Sequence, residues 1–341
     1  MPGQPSLLLG GQVPSHRPGG WEETATFVAV WQHLARIAVL VLLVIATGSG
    51  GVAHAGKPGG SDPRIGVDVS WPQCGKALPS GMAYAIVGVN GGTAATTNGC
   101  LAAQLSWAST TTTGANPNQP KVQLYVNTAN PGEVLEEYQV TTWPTNNVDS
   151  RGRNSFDHPD PALRSPYGAC MTTPGNYREY TNDLSCSWQY GWNRAVEAVD
   201  QRFAPAARTA GLNERAAAYN WWLDVETTNS WQEAGTPEAY ARNTASLEGM
   251  KQFYAAEGVT KVGLYSTSYQ WRQIVGDTLS MPTTESPATG ANLKGADSWL
   301  AGASSATDAK KRCTTHSGLT GGAVVLNQYI SRNLDHNYSC I

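Results

Sequence analysis

The chain has 341 residues, a formal net charge of -3 and no basic tract or stripe, which argues against a nucleic-acid-binding protein. No C-x-x-C or H-E-x-x-H spacing occurs, so we predict no zinc or redox site, no metal and no cofactor. The 12 tryptophans and 14 tyrosines outnumber the 4 phenylalanines. Because tryptophan and tyrosine combine a broad apolar face with a polar edge, this composition favours a protein that binds ligands at its surface.

The N-terminal segment predicts export from the cell. Residues 37–46 form an apolar run too short to span a bilayer, Arg36 stands directly before it, and residues 53–55 read Ala-His-Ala. This order is typical of a secretory signal peptide cut after Ala55, and an uncleaved membrane anchor is the alternative. We therefore expect a secreted or cell-wall-associated protein that begins at Gly56 and has no stable membrane insertion.

Strand patterns alternate with helical patterns through the first two thirds of the remaining chain. This alternation predicts a parallel sheet, and the length favours closure into an α/β fold, a TIM-like (β/α) barrel. Thr236 followed by Pro237 predicts the start of one helix. The predicted domains are 1–55 (signal peptide and extension), 56–63 (linker) and 64–341 (barrel). The predicted strands are 65–70, 84–90, 122–127, 219–226 and 262–266, and the predicted helices are 100–109, 188–210, 236–257 and 269–275.

Two regions depart from this alternation. Residues from about 133 to 185 show neither a strand nor a helix period, which predicts a long covering loop with its own disulfide. After residue 276 the pattern predicts a loop, a brief strand at 298–301 and a longer one at 323–330. We therefore predict an irregular barrel whose last strands lack full crossover helices.

All six cysteines follow the predicted signal peptide, and an even number in an oxidising compartment indicates disulfides. Many pairings are possible, and the spacing does not choose among them. We predict the sequential pairing because it closes short local loops: Cys74 with Cys100, Cys170 with Cys186, and Cys313 with Cys340.

Two acids end the predicted strand 219–226. Side chains alternate along a strand, so Asp224 and Glu226 point to the same side, with α-carbons roughly 6.6 Å apart. Each ionised acid raises the pKa of the other, and one protonated beside one ionised acid is what cleavage of a sugar bond needs. Trp221, Trp222 and Trp231 nearby supply flat faces on which sugars stack. The alternative is a strand end whose two acids are merely solvated.

Several short motifs together resemble the lysozymes of glycoside hydrolase family 25. They occur in the order of that family and cover most of residues 64–341. The resemblance implies an irregular barrel, muramidase-like activity and a polysaccharide or peptidoglycan partner. The chain also looks like the glycoside-hydrolase-like domains of secreted bacterial proteins. The motifs are 66–70 (Gly-Val-Asp-Val-Ser) with Trp71 and Gln73, 223–226 (Leu-Asp-Val-Glu), 263–266 (Gly-Leu-Tyr-Ser), 299–301 (Trp-Leu-Ala), 328–329 (Gln-Tyr) and 335–337 (Asp-His-Asn).

The resemblance assigns a role to each acid. Glu226 would be the general acid, and Asp224 would assist, either as the ionised partner or by orienting the acetamido group of the substrate. Asp68 and Asp335 would be supporting acids at the barrel mouth, with a purely structural role as the alternative. His316 and His336 are interpreted as surface histidines. The residues expected to contact substrate are Trp71, Asn90, Asn127, Trp222, Tyr265, Trp299 and Gln328.

The second and third strands depart from the family pattern. Residues 89–93 (Val-Asn-Gly-Gly-Thr) replace K-A-T-E-G, and residues 124–127 replace a segment whose histidine contacts substrate. Two hypotheses follow. The first is a secreted, monomeric glycoside hydrolase, lysozyme- or muramidase-like, with a retaining, inverting or substrate-assisted mechanism left open. The second is a non-catalytic or weakly catalytic cell-wall carbohydrate-binding domain on the same barrel.

Overall fold

The computed structural model describes residues 62–132, 143–171, 182–232, 235–276 and 291–341. The chain divides after Lys57 into two units. The first unit, with the predicted signal peptide and its cleavage site, lies outside the described residues, as does most of the predicted linker. Within the described ranges, no helix is long and apolar enough to cross a membrane.

Eight strands close into a barrel in the order of the chain. Strands β1 to β7 pair in parallel, and β8 is antiparallel to both of its neighbours, β7 and β1. The prediction of a mixed α/β barrel is thereby confirmed. The strands are β1 Ile65–Val69, β2 Ala85–Gly88, β3 Val122–Asn127, β4 Trp221–Asp224, β5 Val262–Ser266, β6 Ser298–Ala303, β7 Val324–Ser331 and β8 Leu334–Ser339.

α-Helices lie in the connections between the parallel strands, except between β1 and β2, where there is only the 3-10 turn Trp71–Gln73. The predicted helix start after β4 is confirmed, because the Thr236 side chain accepts a hydrogen bond from the Ala239 amide and Pro237 opens the helix. The helices are α1 Leu101–Thr111, α2 Leu184–Glu197, which continues through the π-helical turn Ala198–Phe203 into α3 Ala204–Thr209, α4 Pro237–Ala256, α5 Ser268–Ile274 and α6 Ala306–Thr315. Short 3-10 turns cover Trp71–Gln73, Pro161–Leu163, Ala216–Ala218 and Ala291–Leu293.

The prediction that the last strands lack crossover helices is right for β7–β8 and wrong for β6–β7. Strands β7 and β8 join through a two-residue turn at Arg332 and Asn333, both with positive φ, as in tight hairpins. Strands β6 and β7 are connected through α6, whose start is capped by the Ser305 hydroxyl. The sequence did not predict helix α6, because the helix is mostly polar, buries only Ala309 and so has no apolar period.

Alternating side chains of each strand divide the core into two parts. In β4, Trp221 and Leu223 face outward and pack against the helices, whereas Trp222 faces the barrel interior. Helices α2 and α4 approach each other closely on the outside. A Cβ atom at Gly191 would collide with the backbone of Ser246, so this contact requires glycine. The barrel interior contains Tyr84, Ile86, Trp222, Tyr265, Trp299 and Leu326.

The predicted covering loop covers the outer face of α2 and α4. Residues 133–142 and 172–181 lie outside the described residues. In the described part, Trp143 stacks on Tyr190 of α2 with 5.2 Å between ring centroids. Arg151 forms ion pairs with Asp200 and with Glu257 near the end of α4. The loop therefore runs along the helices of the barrel wall.

All three predicted disulfides are confirmed, and the described residues contain no free cysteine. Cys74–Cys100 links the turn after β1 to the start of α1. Cys170–Cys186 ties the covering loop to α2, and Cys313–Cys340 ties α6 to the end of β8. Each bridge therefore ties a segment outside the strands to a helix or to the end of a strand.

Candidate active site

Four carboxyl groups meet at the end of the barrel where the parallel strands finish. Asp224 is the last residue of β4, and Glu226 follows two residues later. Asp68, near the end of β1, pairs directly opposite Asp335 of β8 in the antiparallel ladder. The charges of these groups act on one another: Asp335 and Glu226 raise the pKa of Asp68, and Glu226 and Asp68 raise that of Asp224. The structure thus brings together all four acids named from the sequence.

Asp224 is the most deeply placed acid. It is 4 % exposed, and the Asn127 side chain donates a hydrogen bond of 2.7 Å to its Oδ2. Its Oδ1 has no hydrogen-bond partner among the described residues. Burial, followed by the charges of Glu226 and Asp68, raises the pKa of Asp224 well above its ordinary value. Burial and the neighbouring acids therefore both disfavour the ionised form of Asp224.

Glu226 is half-buried and lies at the opening. Among the described residues, no hydrogen bond to its carboxyl contributes to the pKa of Glu226. Its backbone oxygen accepts hydrogen bonds from the Trp231 indole at 2.9 Å and from the Asn229 amide at 3.1 Å, which fix the turn after β4. Burial raises the pKa of Glu226, and the charge of Asp335 raises it further. Asp224 and Glu226 also act on each other, since the charge of Glu226 raises the pKa of Asp224 after burial does, as the strand spacing suggested.

Asp68 is held in place by two amides. Gln328 donates hydrogen bonds of 3.1 and 3.3 Å to its two carboxyl oxygens, and Asn337 donates one of 2.7 Å. These bonds favour the ionised form, but burial and the charge of Asp335 outweigh them and leave the pKa of Asp68 well above its usual range. The Tyr265 hydroxyl donates in turn to Gln328 Oε1 at 2.8 Å. Gln328 and Tyr265, predicted as substrate contacts, therefore hold an acid.

Trp222 and Trp299, also predicted as substrate contacts, lie inside the barrel beneath the acids. The Trp222 indole donates to Gln123 at 2.9 Å, and the two indole rings meet edge to face at 5.8 Å. Trp299 is 1 % exposed. Because barrel closure buries both rings, they form the floor of the site and present no face to a sugar.

Asn90 and Asn127 occupy the positions where the sequence departs from the family motifs. The Asn90 side chain accepts a hydrogen bond of 3.0 Å from the backbone amide of Asn127 and donates one of 3.0 Å to the Ala94 carbonyl. Asn90 therefore fixes the ends of β2 and β3, while Asn127 contacts Asp224 directly. Both residues were predicted to bind substrate. The Asn90 side chain instead bonds to the backbone, and the Asn127 side chain bonds to the Asp224 carboxyl.

Trp71 is the predicted contact residue whose ring is open. It is 50 % exposed in the turn that follows β1. Its indole lies over Gly92, whose φ of 104° and missing side chain leave room for the ring. A Cβ atom at this glycine would lie 2.7 Å from the Trp71 Nε1. Trp71 therefore offers a flat, open surface in the turn that follows the strand of Asp68.

Sequence reasoning missed two residues of the site, Asn337 and Tyr125. Asn337 is fully buried and bonds Asp68, and Tyr125 is also placed among the acids, since Asp68, Asp224 and Glu226 all raise its pKa after burial does. Each stands two residues from a predicted site residue, on the same side of its strand. The two-residue period of β3 and β8 was the signal that could have identified them.

The predicted surface histidines lie apart from this cluster. His316 is exposed, and His336 stacks on Tyr329 with 5.5 Å between ring centroids. In the part of the chain that the structure describes, no group of histidine, cysteine or acidic side chains is arranged to hold a metal ion. The chemical groups gathered at this site are carboxyls, which can donate and accept protons.

No protein-family model and no curated protein matches the sequence. Solved structures resemble it distantly. A glycosyl hydrolase 25 of Streptococcus pneumoniae is 14 % identical over 81 % of this chain and 86 % of its own, with a TM-score of 0.37. A muramidase from Acremonium alcalophilum is 12 % identical over 81 % of this chain and 92 % of its own, with a TM-score of 0.41. A lysozyme from Streptomyces coelicolor is 14 % identical over 83 % of this chain and 93 % of its own, with a TM-score of 0.38. At this level the likeness assigns neither family nor activity to the chain.

Proposed function

We propose that this protein is a secreted glycoside hydrolase that cleaves cell-wall or related polysaccharide, with Glu226 as the proton donor. The supporting observation is the convergence of four carboxyls with raised pKa values at one end of the barrel. Cleavage of a glycosidic bond needs an acid that stays protonated near neutral pH beside a second carboxyl. Active sites of (β/α) barrels lie at the end where the parallel strands finish, which is where these acids are.

Access separates the roles of the two central acids. Glu226 lies at the opening, where its carboxyl can reach the oxygen of a departing sugar, whereas Asp224 lies beneath it with one oxygen bound by Asn127. A polysaccharide across the mouth would exclude water from Glu226, and desolvation raises the pKa of a carboxyl further. The charge of Asp335 acts in the same direction. Asp224 then either carries the negative charge beside the developing cation or orients the substrate.

The finer assignment to a muramidase-like enzyme of the TIM-like class rests on the ordered motifs. Asp68, Asp224, Glu226 and Asp335 stand at the positions of the acids of those motifs, and the structure has them in one cluster. The open ring of Trp71, in the turn that follows the strand of Asp68, provides a stacking surface for a sugar. The three disulfides agree with an oxidising, extracellular location.

The decisive experiment incubates the purified mature protein with peptidoglycan and a panel of glycans. We expect the wild-type protein to release sugar fragments, and Glu226→Gln to lower the rate by about 10²–10⁴-fold, because the amide cannot donate the proton. Sugar binding should persist, since stacking needs no proton. Glu214→Gln is the matched control, because Glu214 pairs with Arg208 on the exposed surface. If Glu226→Gln cleaves as fast as the wild-type protein, Glu226 is not the acid.

A second candidate is a carbohydrate-binding barrel that hydrolyses little or nothing. The specific observation in its favour is that Asp68 and Asp224 are almost fully buried and bonded by amides, so that only Glu226 and Asp335 reach the opening. Under this hypothesis the glycan panel gives binding without released fragments, and Glu226→Gln changes the affinity only modestly.

A further inference from the structure

A groove of about 450 Å³ lies at the end of the barrel opposite to the acids. Its walls are the turn Pro161–Leu163 of the covering loop, the last turns of α4, the start of β5 and the approach to β6. A cavity of about 330 Å³ adjoins it and shares Thr260, Lys261 and Asp297 with it. The two together form an elongated depression that the proposed hydrolysis does not use.

The groove carries a positive charge on a protein whose net charge is -3. Three lysines line it against one acid: Lys251, Lys261, Lys294 and Asp297. We call these three lysines and the depression between them the lysine groove. Lys261 stands 3.9 Å from Asp297, and both side chains are partly exposed, so this ion pair is weak.

Lys251 is built into the wall of the groove. It is half-buried, and its Nζ donates to the Asn292 carbonyl at 2.5 Å. Burial lowers the pKa of Lys251, and the charge of nearby Glu248 opposes that shift. Glu248 also accepts hydrogen bonds from the Tyr167 hydroxyl and from the backbone amide of Asn292, and Glu257 is paired with Arg151. A negative charge in the groove would therefore find an ammonium group already held in position.

We propose that the lysine groove binds a segment of an anionic polymer whose units carry carboxylate or phosphate groups. The lysines come from α4, the start of β5 and the segment before β6, so they are spread along the depression and match repeated charges better than a single ion. The exposed Thr260 supplies an uncharged polar group for a hydroxyl between the charges. Bound there, a polymer would hold the protein while leaving the mouth of the barrel free. The proposal does not depend on the proposed hydrolysis.

The test is calorimetric titration of the disulfide-bonded mature protein at low ionic strength. The probes are inorganic tripolyphosphate and tri-galacturonic acid, with neutral maltotriose for comparison. We expect at least one anionic probe to bind, and to bind more weakly as salt is added, because salt screens exposed charges. Binding of only one probe identifies the phosphate or the carboxylate as the group, and binding of both identifies charge alone.

The double variant Lys261→Gln, Lys294→Gln should weaken that binding by about fivefold or more. Both lysines are exposed, and Lys251 is kept so that its bond to Asn292 is preserved. The matched control is Lys310→Gln, Lys311→Gln on α6, which removes the same charge from another exposed surface. The proposal is overturned if neither anion binds more tightly than maltotriose, if the groove variant binds like the wild-type protein, or if the control weakens binding equally.

Discussion

At the scale of single residues, the environment of each carboxyl decides its role. Four acids of similar intrinsic strength share one barrel end, yet Asp224 is sealed beneath the surface and Glu226 is half-open. Burial raises the pKa of both, the charge of Glu226 adds to the rise at Asp224, and the charge of Asp335 adds to the rise at Glu226. Of the two acids at the end of β4, the partly exposed Glu226 is therefore the one placed to meet a ligand at the opening.

This arrangement predicts the effect of Asp335→Asn. Removing the negative charge of Asp335 takes away one cause of the raised pKa of Glu226, so that pKa should fall. If Glu226 acts as the acid, the alkaline limb of the pH–rate profile should move to lower pH. The measurement is kcat/KM across pH for the wild-type protein and the variant. Glu214→Gln should leave the limb where it is, and a limb unmoved by Asp335→Asn would show that Asp335 does not act on the proton donor.

At the scale of elements, the helix pair α2–α4 is the tightest junction outside the barrel. Gly191 meets the backbone of Ser246, and Gly249 meets the backbone of Trp188, so neither position has room for a Cβ atom. The covering loop lies on the outside of this pair and is fastened to it by Cys170–Cys186 and Arg151. The packing of the two helices thus also supports the loop.

Gly191→Ala should therefore destabilise the fold. The added methyl group would collide with backbone, which cannot rotate away, and overpacking of this kind costs about 1–3 kcal/mol in the free energy of unfolding. Chemical denaturation with urea measures the loss. Gly99→Ala is the control, since an added Cβ there meets nothing within 4 Å, and it should change stability by no more than about 0.5 kcal/mol. Equal stability of the two variants would contradict the close helix contact.

At the scale of the whole molecule, the barrel contains four carboxyls whose pKa values are higher in the folded state than in the unfolded state. The folded state then binds more protons than the unfolded state between those two values. Stability from these groups is fully present at acidic pH and is lost as the pH rises through the folded pKa values. Keeping four acids together is therefore a cost to the fold near neutral pH.

Asp224→Asn tests this cost. The amide keeps the size of the side chain and cannot ionise, so the variant should be more stable than the wild-type protein at pH 7 and gain less at pH 4. Thermal unfolding midpoints at the two pH values measure the difference. An equal shift at both values would mean that the ionisation of Asp224 does not oppose folding.

The sequence by itself determined much of this protein, because the relevant signals are local. Alternating apolar residues marked β1, β3 and β5, Thr236 and Pro237 marked the start of α4, and short loop closure selected the three disulfides. The two-residue spacing of Asp224 and Glu226 predicted a shared side of one strand, but β4 ends at Asp224 and Glu226 lies in the turn beyond it. These features depend on residues that are neighbours in the chain or close to it.

Only the tertiary structure decided which side chains face the opening and which support others. Closure of the barrel buried Trp222 and Trp299, turned Gln328 and Asn337 toward Asp68, and set Asp335 opposite it on a strand that runs in reverse. Burial and cross-strand register arise from elements far apart in the chain. A local pattern can name an acid, but the partners that set its pKa are chosen when the last strand closes the barrel.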